Sequence, residues 1–304
     1  MTEDTGPFAR HHDLRLGGGP IRAYVAGPEH DPRPPMVLLH GAMLDTAPLI
    51  WRDVVPLVAR ERRVIALDLP RHGGSRPWPG TVDQATLEGV VADLLDWSDA
   101  PRADLVGLSM GGGVSVGLAL SRPERVRGLV IAAPGGVDEK RPWQFITWSL
   151  LRSRLVLRLT SGLLASSRSI IRRSMIANLA AGENAHGLDD LVALAAQEAR
   201  AKWRFREPAL DDWQVLAYGP RRMRFSLVPS LHRLAAPSLW LVGVDDPLVT
   251  VSAVERAAAA VPTARVEVLE AAGHLLPLDQ PDQFADLTLR FLADLDRHEP
   301  AQSA

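Results

Sequence analysis

Short apolar runs alternate with longer amphipathic stretches over most of the chain. "MVLLH" (36–40), "VIALD" (64–68), "DLVGLS" (104–109) and "GLVIAAP" (128–134) are brief and almost without polar alternation. That is the pattern of strands buried on both faces. Between them, "APLIWRDVVPLVARE", "VDQATLEGVVADLLDWS" and "GGGVSVGLALSRPE" have helical spacing, and Pro123 ends the third. Strands and helices in strict alternation predict a parallel, doubly wound sheet. Upstream, "HHDLRLGGGPIRAYVAG" predicts a hairpin turning at Gly17-Gly18-Gly19-Pro20, and "DPRPP" (31–35) breaks the chain before the alternation begins.

At Pro134-Gly135-Gly136 the alternation stops. Residues 138–232 contain helical patterns and no convincing strand. It then resumes with a strand in "PSLWLVGVDD" (237–246), a helix in "VSAVERAAAAV", a strand in "RVEVLEAAGH" (265–274) and a helix in "PDQFADLTLRFLADLDRH". One α/β core domain, residues 1–137 and 233–304, is therefore expected, interrupted by a helical insertion over 138–232. The tail "EPAQSA" is expected to fray.

Composition narrows the function classes. The 304 residues are 46% hydrophobic and 23% charged, as in ordinary soluble proteins. A formal net charge of −2 supplies no global field for nucleic acid. The absence of cysteine excludes disulfides, thiolate metal sites and thiol catalysis. "MTEDTGPFARHHD" has no apolar segment of a secretory signal, and no uncharged apolar run approaches the roughly 20 residues of a spanning helix. A cytoplasmic enzyme is the expectation. Charge is unevenly spread: residues 140–233 hold 16 Lys/Arg against 7 Asp/Glu, with no acid between Glu139 and Glu183.

The candidate chemistry starts at "VGLSMGGG" (106–113). A glycine run of this kind can be a plain turn, a phosphate loop or a turn that presents a nucleophile. The phosphate motifs fail: no Lys follows the glycines, and Ser109 stands where the second glycine of G-x-G-x-x-G belongs. Gly107-Leu108-Ser109-Met110-Gly111 does fit G-x-S-x-G, between a buried strand and a helix. A serine nucleophile needs a base and an orienting carboxylate. Asp245-Asp246 and His274 follow the two strands of the resumed half, on the same sheet edge as Ser109, in the order Ser, Asp, His. His40-Gly41-Ala42 follows the first core strand, where the Ala42 N–H could pair with that of Met110 to hold an oxyanion. His40 and Gly41 are candidate substrate contacts beside it.

With these motifs the chain resembles the α/β-hydrolase fold superfamily, in a serine esterase- or lactonase-like branch with a helical cap. The stretches that carry the resemblance are "HGAMLDTAPLIW", "DLPRHGGS", "GLSMGG", "GVDDPLV" and "GHLLPLDQP", within residues 14–135 and 234–296. The resemblance implies an eight-stranded, mostly parallel sheet flanked by helices, with the cap inserted after the sixth strand. It implies Ser109 as nucleophile, His274 as base and Asp246 as acid, Asp246 rather than Asp245 by its spacing from Gly243. Ala42 and Met110 would supply the oxyanion donors, and neither metal nor cofactor is called for. The chain departs from the family at Arg71, where a glycine is usual, and at Gly74, where a larger residue is common. The expected reaction is hydrolysis of an apolar ester or lactone of moderate size. The rivals are acyl or peroxide transfer, carbon–carbon bond hydrolysis, and ligand reception without catalysis.

In the insertion, Trp143 and Trp148 are candidate pocket residues, and Trp203, Trp213 and Tyr218 are possible ones. Its arginines are expected to be solvated or to pair with the acidic core. Contact with a membrane surface is the less favoured reading of its basic, apolar helices.

Overall fold

The computed structural model describes residues 6–141 and 143–298; the tail "EPAQSA" lies outside them. The expected hairpin is present as β1 (His11–Leu16) and β2 (Gly19–Ala26). The buried runs form β3 (Met36–Leu39), β4 (Val64–Asp68), β5 (Ala103–Leu108) and β6 (Val126–Ala132). After the insertion come β7 (Ser238–Gly243) and β8 (Ala264–Leu269). They form one eight-stranded sheet in the order β1-β2-β4-β3-β5-β6-β7-β8. Strand β2 runs against both its neighbours, and every pair from β4 to β8 is parallel. This is the eight-stranded arrangement that the family resemblance implied.

Helices cover both faces. The stretch expected as one helix over 47–61 is instead two single turns, α1 (Ala47–Ile50) and α2 (Val55–Val58). Pro56 has no N–H for the continuing ladder, and its ring opposes the carbonyl one turn back, so the helix is interrupted there. Helix α3 (Gln84–Trp97) starts at Asp83, whose carboxylate accepts the Thr86 N–H. Helix α4 (Met110–Ser121) leaves β5 directly and stops before Pro123.

Between β6 and β7, among the described residues, run α5 (Gln144–Leu151), α6 (Arg154–Ser166), α7 (Arg168–Asn178), α8 (Leu188–Arg204) and α9 (Asp212–Ala217), with no strand. The core resumes with α10 (Val251–Ala258), the short α11 (Leu276–Asp279) and α12 (Pro281–His298). No helix among the described residues is long and apolar enough to cross a membrane.

Strands β7 and β8 end sooner than their apolar runs suggest, at Gly243 and Leu269. Beyond these points the two chains brace each other as loops: the Val244 N–H donates to Leu269 O and the Asp245 N–H to Ala272 O. Asp246 and His274 thus sit on loops past the strand ends rather than on the strands.

Candidate active site

Ser109 stands between the last residue of β5 and the first of α4, with φ 52° and ψ −111°. A positive φ is costly for a residue with a Cβ and is kept only where the surroundings enforce it. Here its N–H donates to Ala132 O on β6, and its own carbonyl accepts from Gly113 and Gly135. The flanking glycines are required by space. A Cβ on Gly107 would lie 2.4 Å from the Gly111 carbonyl carbon, and one on Gly111 would lie 2.2 Å from Leu39 O. The serine is therefore lifted above the carboxyl edge of the sheet.

His274 and Asp246 meet on the adjoining loops. The Nδ1–H of His274 faces Asp246 Oδ2 at 2.9 Å. Asp246 Oδ1 accepts the N–H groups of Leu248 (2.7 Å) and Val249 (2.9 Å). One carboxylate oxygen is thus held by backbone and the other by imidazole, which orients the ring and leaves Nε2 as its unprotonated nitrogen. Asp245, the neighbouring acid, is exposed. No hydrogen bond joins Ser109 Oγ to His274 Nε2 in this arrangement. Such bonds are often long before substrate binds and tighten in the complex.

Ser109 and His274 both line a cavity with two lobes. One, of about 150 Å³, is walled by Leu49, Leu164, Ile171, Met175, Leu248 and Leu275. The other, of about 100 Å³, is walled by Arg141, Trp213, Tyr218, Met223 and Phe225. Ala42, Ser109 and His274 line both lobes. Among the described residues the N–H groups of Ala42 and Met110 have no protein partner. That of Met110 is one of the open donors at the start of α4.

Several expected contacts are placed differently. His40 is fully buried, and both its ring nitrogens are occupied by backbone. Its Nδ1–H donates to Gly41 O at 2.6 Å, and Nε2 accepts the Leu69 N–H at 2.9 Å. Burial, reinforced by the neighbouring His72, depresses its pKa well below the usual range, so the ring stays neutral. His40 therefore holds the loop by hydrogen bonds to backbone and borders neither lobe. Gly41 does line the cavity.

Trp143 is 77% exposed at the start of α5 and borders neither lobe. Trp148 is also absent from both walls and stacks with Phe145 and Arg152. They miss because α5 turns this aromatic side away from Ser109. Trp213 and Tyr218 do reach the second lobe, whereas Trp203 borders a separate groove of about 910 Å³. The Met110 side chain is buried in the core, so only its backbone faces the site.

Three residues not singled out from the sequence hold the site's loops. Asp45 accepts the Gly41 N–H on Oδ2 (2.7 Å) and the Thr46 N–H on Oδ1 (2.9 Å), inside the first lobe. Burial pushes its carboxyl up to about 8, against the pull of those two N–H groups. Asp211, just before α9, accepts the Met43 N–H at 2.6 Å and Lys202 Nζ at 2.6 Å. Burial alone would raise this carboxyl; the charges of His72 and Lys202 outweigh it and hold it below the usual range. Asn178, at the end of α7, accepts the His274 N–H on its backbone oxygen at 3.0 Å and lines the first lobe. An acid inside the apolar "HGAMLD" and the Asp211–Gln214 capping-box pair are the sequence signals for the first two. Nothing local marks Asn178.

Residues 36–287 match the model of the alpha/beta hydrolase family, and the chain belongs to that family. It is similar to a pimeloyl-[acyl-carrier protein] methyl ester esterase from Aeromonas hydrophila, with 28% identity over 85% of this chain and 95% of that protein. It is likewise similar to a 2-hydroxymuconate semialdehyde hydrolase from a Pseudomonas strain, with 27% identity over 86% of this chain and 88% of that one. Among solved structures, a thermophilic esterase from Thermogutta terrifontis superposes with a TM-score of 0.74 at 21% identity. That match covers 94% of this chain and 99% of the esterase.

Proposed function

We propose that the protein is a serine hydrolase of carboxylic esters or lactones, with Ser109 as nucleophile, His274 as base and Asp246 as the orienting acid. The observation that carries this reading is the His274–Asp246 pair beside a serine on a positive-φ turn, with both Ser109 and His274 lining one two-lobed cavity. Ser109 Oγ attacks the carbonyl carbon as His274 Nε2 takes its proton. The oxyanion is held by the N–H groups of Ala42 and Met110, the two open donors at the site. His274 returns the proton to the departing alcohol, then activates water to release the acyl group.

The larger lobe, walled by Leu, Ile and Met side chains, takes the apolar part of the substrate. A volume of about 150 Å³ admits a benzene-sized group, which sets the scale of that part. Helices α5–α9 act as the cap, of which α6, α7 and α9 line the lobes. A second reading, carbon–carbon bond hydrolysis on the same triad, is supported by the likeness to the semialdehyde hydrolase.

A panel of p-nitrophenyl esters of graded chain length, with several lactones and one ring-fission product of a catechol, separates the two. Ester turnover that Ser109→Ala abolishes is the expected result. Turnover unchanged in that variant overturns the triad, and activity on the ring-fission product alone moves the reading to the second.

A further inference from the structure

Helices α5 and α6 turn large apolar side chains outward. Leu155, Leu159 and Leu163 recur every fourth residue along α6 and are 66%, 63% and 54% exposed. Repeats of four form a stripe on one helix face. The opposite face of α6 is the one that docks: Ser161 and Leu164 are buried, and Leu164 walls the catalytic cavity. Helix α5 continues the exposed surface with Phe145, Ile146 and Leu150, and Trp143 stands at its start. Soluble monomers seldom leave so many large apolar side chains together in water, and such patches mark interaction surfaces.

Every charge carried by α5, α6 and the turn between them is positive. Arg152, Arg154 and Arg158 are exposed on these helices, Arg154 and Arg158 along the flank of α6 that borders the groove of Trp203, and none has an acidic partner among the described residues. No acid occurs in the sequence between Glu139 and Glu183. Arg152 stacks over Trp148, and tryptophan is enriched at lipid–water boundaries. Long arginine stems can lie along an apolar surface while their guanidinium groups reach a polar layer. A second copy of the chain fits poorly. A two-fold contact pairs a patch with itself, and these arginines would face their own copies with no intervening acid.

We propose that the α5–α6 face docks on an anionic lipid bilayer, Leu155, Leu159, Leu163 and Phe145 entering the acyl boundary and Arg152, Arg154 and Arg158 lying among the headgroups. The docking face is the outer side of the helix whose inner side walls the catalytic cavity, so the bound protein holds that cavity at the membrane surface. This assignment does not rest on the triad: a protein without hydrolase activity would dock equally.

The test uses the full chain with vesicles of phosphatidylcholine plus phosphatidylglycerol, and with vesicles of phosphatidylcholine alone. Co-sedimentation with the anionic vesicles and a blue shift of tryptophan emission are expected. Binding to the neutral vesicles should be about tenfold weaker or less. The triple variant Leu155→Ser, Leu159→Ser, Leu163→Ser should lose about tenfold or more on anionic vesicles while keeping its circular dichroism spectrum. Arg154→Gln with Arg158→Gln should remove the preference for anionic lipid. The proposal is overturned if anionic vesicles leave the protein in the supernatant, or if the leucine variant binds them as the parent does. It is also overturned if light scattering shows a dimer that the leucine variant dissociates, which assigns the face to a second copy.

Discussion

The core and the helical insert both bury apolar side chains and ion pairs, and they differ in what they leave outside: large exposed apolar side chains fall mainly on the insert. In the core, Met36, Val37, Leu38 and Leu39 of β3 are all inaccessible, as are their counterparts on the neighbouring strands. The insert leaves leucines in solvent and buries Lys202 and Glu198. Ion pairs across the seam among the described residues also run against the bulk charge. Core bases meet insert acids: Arg71 with Asp212 (2.7 Å), Arg76 with Glu198 and Glu207, and His72 with Asp211 (3.2 Å). Of the two fates expected for the insert's arginines, solvation or pairing with the acidic core, the pairing does not occur there, and Arg152, Arg154 and Arg158 are exposed. Arg71, the departure from the family's glycine, takes φ 66° and is held by Asp212.

This contrast locates the insert's hold on the site. Two of its polar contacts fall on the loops that the proposed chemistry uses: Asp211 on the Ala42–Met43 turn, and Asn178 on the backbone of His274. Ala180 of the insert and Gly273 beside the histidine also share the Asp279 carboxylate. The core presents Ser109, and the insert holds the groups that must meet it.

The triad is where a single change should cost most. Asp246→Asn keeps an oxygen for the backbone donors of Leu248 and Val249 but turns an amide toward His274 Nδ1. That forces the wrong tautomer, and ester turnover should fall about 10⁴-fold with the fold unchanged by circular dichroism. A residual rate near the parent's would show that another group orients the histidine.

Next is the seam. Lys202→Met leaves Asp211 buried with one cation fewer, and urea unfolding should show a loss of about 3 kcal/mol. KM should rise as the Met43 turn loosens. A neutral outcome would mean the buried pair is dispensable, and the contrast between core and insert would lose its energetic basis.

Asp45 gives a pH-dependent effect that is smaller over any single pH unit. Its carboxyl titrates near 8 when folded, against about 3.9 for an unfolded aspartate. Between those values the folded state holds a proton that the unfolded state has released. Its contribution to stability is therefore complete below about pH 4 and declines as pH rises toward 8, by up to about 1.4 kcal/mol per unit. Unfolding midpoints across that range should lose this slope in Asp45→Asn. An identical slope in the variant would place the titration elsewhere.

The smallest effect belongs to the exposed stripe. Leu159→Ser should change stability by less than about 0.5 kcal/mol, whereas Leu39→Ala in β3 should cost about 3 kcal/mol. A comparable loss at both positions would mean that Leu159 packs against protein in solution.

Much of the site was legible in the chain itself. The strand–turn–helix around Ser109 is marked by Gly107 and Gly111, and the Asp246–His274 pairing is marked by their shared position after buried runs. Less legible were the roles of His40, Trp143 and Trp148. A histidine after a strand and tryptophans opening a helical segment look alike whether they face substrate, backbone or water. Only neighbours distant in sequence distinguish these cases: Leu69 for His40, and open solvent for Trp143.

Consecutive residues encode the local architecture without help from the rest of the chain. The two-sided burial of the strands, the helix starts and stops, and the elbow that strains Ser109 all depend on local spacing and local sterics. How the insert lies on the core is settled only when distant segments meet. Met43 and Asp211 are 168 positions apart, and their hydrogen bond exists because α8 and α9 dock as they do. The same docking turns Leu164 toward Ser109 and Leu155, Leu159 and Leu163 away from it. Helical periodicity separates two faces of α6, but which one is buried depends on the surface it meets.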